Sequence, residues 1–273
     1  MIAGVLTAAA GVLLSGGKSD VPEAAAGSMP EASSVEVFPL FNDYFVLVDP
    51  FAPTPRPKRE GPSLAVRGLQ TSAAYLRRSR QRARKVPRTT EFLLAVDALM
   101  PSFEALGTAI SAAAVKDVLG NANKLRKNGA PRSALQDLVS RDVRDGNHGH
   151  PDSSAQALLW LTRILKFTAT FFEMLRESPN RSLNECAVAA YERELGKYHN
   201  VVMRSLAFAL MQIIPDRQSM VSCFEVDGFE NLSPFLLEWI KAVRPVLERF
   251  DAFYRDHVPP TPEPFVVGTT SFY

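Results

Sequence analysis

Three polar residues at helical spacing, Asp117, Asn121 and Lys124, are the first candidates for chemistry. They stand at i, i+4 and i+7. At 100° per residue the second and third fall within about 40° of the first, on one helix face. An acid, an amide and an ammonium together offer acceptors and donors on one patch, which suits a polyhydroxyl or amide ligand. An ordinary solvated face with an Asp–Lys contact is the alternative reading of the same spacing. Trp160 stands in the most apolar stretch of the chain. Its ring either fills a core or offers a platform to the C–H face of a sugar. His199, beside Tyr198, is a lone histidine within a helical stretch, which is more often a structural residue than a site.

Other constellations are weak. His148 and His150 lie in a polar loop with Asp145 and Asp152, a faint metal-binding signal. No nucleophile–base arrangement, phosphate-cradling Gly loop or zinc-ligand helix spacing is legible. We therefore expect no enzyme, no cofactor and no metal. The two cysteines, Cys186 and Cys223, are too few for a disulfide framework or a four-cysteine zinc site, and favour a reducing compartment.

The elements that must position these residues are helical. From Thr90 the apolar positions Phe92, Val96, Leu99, Phe103, Leu106 and Ile110 recur at steps of three and four. Pro101 sits off that stripe and is expected to kink the helix. A second stripe reads Ala114, Val118, Ala122, Leu125, and a shorter helix follows Pro131. Residues 155–175 are apolar on nearly every side, the mark of a helix buried from several directions. Ser182 and Glu185 form a capping box, so a helix starts at Leu183 and is expected to run to Ile214, before Pro215. Ser233–Pro234 marks the start of a last helix carrying Phe235, Trp239, Val243, Leu247, Phe250 and Phe253. No strand pattern of comparable quality follows residue 89.

The 273-residue chain is 46% hydrophobic and 22% charged, which excludes a wholly disordered protein. Its net charge of +2 hides an asymmetry. Residues 1–88 hold 12 basic and 7 acidic side chains, and Tyr75–Arg88 holds seven basic residues and no acid. That run reads first as a solvated helical arm and next as a contact for an anionic membrane. Nucleic acid is not expected, because Tyr75 is the only aromatic in the run. No segment reaches the ~18–20 apolar residues of a membrane span. Ile2–Leu14 is uncharged, but no basic residue precedes it, so a targeting segment there is unsupported. The organisation expected is an irregular extension over 1–62, a basic helical arm over 63–88, an all-α domain over 89–258 and a Pro-rich tail over 259–273.

Four stretches, in this order, resemble the glycolipid transfer protein superfamily. They are Thr90-Glu-Phe-Leu with Met100-Pro-Ser-Phe-Glu-Ala-Leu-Gly107, Lys116-Asp-Val-Leu-Gly-Asn-Ala-Asn-Lys-Leu125, Ala157-Leu-Leu-Trp-Leu-Thr-Arg163, and Ala190-Tyr-Glu with Lys197-Tyr-His199. The resemblance implies a two-layer helical sandwich that holds one sphingolipid, with the headgroup at the mouth of an apolar tunnel. It implies that Asp117 binds the ceramide amide and a sugar hydroxyl, that Asn121 and Lys124 bind the headgroup, that Trp160 stacks on the sugar, and that His199 donates to the ceramide carbonyl. Phe103, Leu106, Phe171 and Leu206 are expected along the tunnel.

The branch of that superfamily that reads a phosphate carries two arginines where this chain has Gln156 and Trp160. A phosphate wants cationic, bidentate partners, whereas a neutral sugar wants hydrogen bonds and a stacking ring. The expected function is therefore non-enzymatic transfer of a neutral glycosphingolipid by a monomer that is cytoplasmic and meets membranes transiently. Transfer of ceramide-1-phosphate, or lipid sensing by an adaptor that does not transfer, are the alternatives. Two departures stand out: Gln156 replaces an apolar residue, and Val201 stands where animal relatives carry a membrane-docking Trp.

Overall fold

The computed structural model describes residues 62–82, 87–104, 106–129 and 133–260, all within one unit that spans 61–273. The expected irregular extension lies outside the described residues except for its last one, as does the tail from 261. Nine α-helices are described: α1 (Leu64–Arg82), α2 (Thr89–Glu104), α3 (Thr108–Asn128), α4 (Leu135–Arg144), α5 (Ser154–Glu177), α6 (Leu183–Glu194), α7 (Val201–Gln212), α8 (Arg217–Cys223) and α9 (Phe229–His257). A single 3₁₀ turn, Gly196–Tyr198, joins α6 to α7. The only β pairing among the described residues is an isolated bridge between Arg88 and Ala134. The architecture is the expected all-α, two-layer sandwich.

The helix α5 is the hub. Its apolar sides are all used, because α3, α4, α6 and α9 pack around it. Ala157, Leu158, Leu161 and Leu175 are fully buried. Helix α1 lies along α2 and α9, and buries Val66, Leu69, Ala73 and Leu76 while Arg77 and Arg78 stay exposed. Burying side chains such as Leu69 and Leu76 is worth about 1.5–3 kcal/mol each, which the count of arginines conceals. Gly68 permits the contact: a Cβ there would stand 2.4 Å from the backbone oxygen of Ala98. Arg77 pairs with Glu238 of α9, and Trp239 donates from its indole nitrogen to Ser72 Oγ at 3.0 Å.

Three helix boundaries differ from expectation. The stripe from Phe92 to Ile110 is divided by Gly107, whose φ of 89° ends one helix and starts the next. The last helix begins at Phe229, so that Pro234 and Pro245 lie inside α9. The stretch Leu183–Ile214 is not one helix. Its capping box forms as read, with Ser182 and Glu185 bonding reciprocally. After Glu194 the chain tightens into the 3₁₀ turn, His199 becomes extended, and Asn200 starts α7 by accepting from Met203 N at 2.9 Å. Gly196 lowers the helical preference and Asn200 supplies a strong N-cap, so the break is encoded in two residues.

Candidate functional site: a polar patch and an aromatic cluster beside α5

Helix α3 carries the first half of the site. Asn121 donates from Nδ2 to the Asp117 backbone oxygen at 3.0 Å and to its carboxylate at 3.2 Å. The Asp117 carboxylate stays in contact with solvent, yet surrounding protein raises its pKa, against the lowering effects of Lys124 and Asn121. Lys124 bends away from this pair. Its Nζ donates to the Pro151 oxygen at 2.8 Å and pairs with Asp152 at 3.2 Å. Two of the three residues thus form a direct acceptor–donor pair, while the third ties α3 to the loop before α5.

Helix α5 carries the second half. The two tryptophans have opposite fates: Trp239 is a core residue with no exposure, whereas Trp160 is partly exposed. The Trp160 ring stacks beside His199, with centroids 5.7 Å apart and planes 24° from parallel. The Arg163 guanidinium lies 4.8 Å from the Trp160 centroid and 3.5 Å from that of Tyr198. Its Nε is buried without a hydrogen-bond partner, and burial lowers its pKa.

The break after α6 completes this cluster. Tyr191 Oη and His199 Nδ1 are 2.8 Å apart. On an unbroken helix residues eight apart would be separated by about 12 Å along the axis. Burial, and secondarily the Arg163 charge, lower the His199 pKa, while burial raises that of the Tyr191 phenol. At neutral pH the pair is therefore an uncharged imidazole and a protonated phenol. Tyr191 was not among the candidate site residues, although it stands in the Ala190-Tyr-Glu stretch of the family resemblance, ahead of a helix-breaking Gly196. Arg163 was read as a motif residue without a role. No group of three or more potential metal ligands occurs among the described residues.

Leu99, Ser102, Phe103 and Leu106 face Phe167, Thr168, Phe171 and Phe172 of α5 across a void of about 10 Å³. Three of the four residues expected to meet hydrocarbon line it; Leu206, on α7, does not.

An all-helical sandwich with a polar patch and an aromatic cluster beside its central helix defines a recognisable class. A family model described as "Glycolipid transfer protein (GLTP)" matches residues 87–225, and the chain belongs to that family. A glycolipid transfer protein of Aureobasidium melanogenum is 32% identical over 137 residues, which cover 48% of this chain and 65% of that protein. The chain spans only 35% of some longer relatives that it also matches. Among solved structures, FAPP2, described as selecting simple glycosphingolipids with this fold, matches at TM-score 0.59 and 25% identity, over 67% of this chain and 90% of that one. The human ceramide-1-phosphate transfer protein in complex with ceramide-1-phosphate matches at TM-score 0.62 and 21% identity, over 71% and 97%. The latter likeness is one of fold alone.

Proposed function

We propose that this chain carries a single sphingolipid between membranes without chemical change, and that its cargo is a neutral glycosphingolipid. The observation that carries this reading is the partly exposed Trp160 stacked beside a neutral His199, with Gln156 one turn before it and no cation at either position. In this reading Trp160 is the sugar platform, Asp117 and Asn121 bind the ceramide amide and a sugar hydroxyl, and His199 donates to the ceramide carbonyl. If Tyr191 donates to Nδ1, the His199 proton sits on Nε2, which is then free to donate. Lys124 joins the headgroup by exchanging its bonds to Pro151 and Asp152.

The energetics favour a carrier. A two-chain lipid exposes on the order of 30 methylenes, and at about 0.8 kcal/mol each, transit through water costs roughly 24 kcal/mol as an upper bound. An apolar seam between helices replaces one hydrocarbon environment with another, so selectivity falls to the headgroup. In this reading hydrocarbon enters the seam between α2 and α5, around Phe103, Leu106 and Phe171. Separating the two helices exposes apolar area unless hydrocarbon follows at once, which couples opening to contact with a membrane.

The membrane contact proposed is the start of α7. Val201 and Val202 are 78% and 56% exposed, with Lys197 and Arg204 nearby in sequence and also exposed. No helix among the described residues is long and apolar enough to cross a membrane, and the contact is proposed as transient, by a cytoplasmic monomer.

One observation favours ceramide-1-phosphate as the second reading: the Arg163 guanidinium, with its Nε unpartnered, lies beside the indole. A vesicle assay with labelled glucosylceramide and labelled ceramide-1-phosphate separates the two. Rapid movement of the phosphorylated lipid, with none of the glycolipid, would overturn the proposal. An adaptor that binds without transferring is tested by removing 1–61, which leaves α1 intact. Transfer by the remaining domain at the full-length rate would count against the adaptor idea.

A further inference from the structure

Helix α1 is packed into the fold, yet its outer face takes no part in the function proposed above. The whole helix precedes residue 87, where the match to the family model begins. The face therefore belongs to this chain and lies outside the matched region.

One helical register builds it. Val66, Leu69, Ala73 and Leu76 point inward and are buried. Leu64, Arg67, Thr71 and Arg78 are exposed, Leu64 by 56%. At 100° per residue these four fall within about 60° of one another, so they form one stripe. An apolar side chain also flanks α1 on α2. Leu94 is exposed there, one turn before Ala98, whose backbone Gly68 approaches.

The charge on the stripe is uncompensated. Helix α1 contains no acid along its 19 residues. Arg77 is taken by Glu238, which also meets Lys241, and Asp97 of α2 is taken by Arg126. The guanidinium groups of Arg67 and Arg78 have no ion-pair partner among the described residues.

Spacing and composition choose the partner. Arg67 and Arg78 stand three helical turns apart, about 16 Å along the axis. Both cannot grip one phosphate group, whereas a lipid surface presents many. Leu64 and Leu94 decide between polyanions. A bilayer accepts apolar side chains below its headgroups, and the backbone of a nucleic acid offers them nothing. The surface is also separate from the start of α7, because α1 packs on α2 and α9 while α7 packs on α3 and α6.

We propose that the outer face of α1 is an electrostatic docking surface for an anionic membrane, distinct from the apolar contact at α7. It selects the membrane the chain visits, not the lipid it carries, and so does not depend on the cargo.

The test is co-sedimentation of the full chain with vesicles of phosphatidylcholine, alone or with about 30% phosphatidylserine. The wild type should bind the anionic vesicles about fivefold more tightly at low salt. That preference should vanish at about 0.5 M salt, where the charges are screened. Arg67→Glu combined with Arg78→Glu should abolish the preference while helicity and binding to phosphatidylcholine stay as in the wild type. Arg67→Gln combined with Arg78→Gln adds no repulsion; it should lower the preference, and it carries the test if the charge-reversed variant does not fold. A preference kept by the variants that fold, one that survives high salt, or none in the wild type overturns the proposal. Duplex RNA that displaces the wild type from anionic vesicles, and binds through the same two arginines, would make the face a nucleic-acid surface and overturn it too.

Discussion

Tyr191 and His199, eight residues apart in sequence, meet through Oη and Nδ1 at 2.8 Å because the helix that would have kept them apart is broken at Gly196. This contact couples the phenol to the tautomer of the imidazole. If the phenol donates, the imidazole proton is on Nε2, which leaves that nitrogen as the ring's donor.

Tyr191→Phe should therefore lower glycolipid transfer about tenfold while leaving the fold intact, since one hydrogen bond is worth about 1 kcal/mol and the tautomer preference is lost with it. Nitrogen NMR of the labelled histidine is the direct check. The wild type should show a single Nε2-protonated tautomer and the variant a mixture; an unchanged spectrum would remove Tyr191 from this role.

Asp117 is held at a cost. Its carboxyl pKa is raised above the ordinary value by burial, so the fold prefers the protonated form and stability contributed by this group declines as pH rises through the raised value. Asp117→Asn should thus stabilise the empty protein at neutral pH. The gain should be small, on the order of 0.5 kcal/mol, because the group keeps solvent contact. Transfer should fall at least tenfold. A melting temperature that drops, or transfer at the wild-type rate, would contradict this account.

His199 has the opposite sign. Its pKa is lowered in the fold by burial and by Arg163, so the unfolded chain binds the proton more readily. Stability should be fully present above the ordinary histidine value and decline as pH falls below about 6.5. His199→Gln should flatten that part of the profile, which melts recorded between pH 5 and 8 would detect.

Trp160→Ala should reduce glycolipid transfer by tenfold or more with helicity unchanged, because the ring is partly exposed and its loss leaves no deep cavity. Trp239→Ala should instead destabilise by about 3–5 kcal/mol, since that ring is fully buried. Thermal melts and vesicle transfer, measured on both variants, would reveal a reversal of these effects.

Val201→Asp combined with Val202→Asp should weaken vesicle association severalfold, because two exposed apolar groups are replaced by charges that anionic lipid repels. Vesicle co-sedimentation, read beside binding of a soluble short-chain glycolipid, separates this from damage to the headgroup site. Equal losses in both would argue that α7 is not the docking surface.

Much of the molecule was legible in the chain. Period-3.6 stripes such as Phe92 to Phe103, the Ser182–Glu185 capping box and the all-round apolar run of α5 are local signals, and each element formed where they placed it. The Asp117–Asn121 pair was legible for the same reason, as i, i+4 neighbours meet on any helix. The sequence also held the cues for the break at Gly196 and Asn200, but these are weak preferences that the surrounding apolar periodicity outweighs on paper.

Only the tertiary structure decided the rest. It recruited α1 into the core despite its arginines, because burial is settled by one face of a helix and not by its average composition. It placed Trp239 in the interior and left Trp160 at the surface, a distinction that two similar apolar surroundings do not encode. It also brought Tyr191, Tyr198 and His199 to Trp160 and Arg163 across two helices. Contacts between residues far apart along the chain depend on how helices cross, and no spacing within a single helix contains that information.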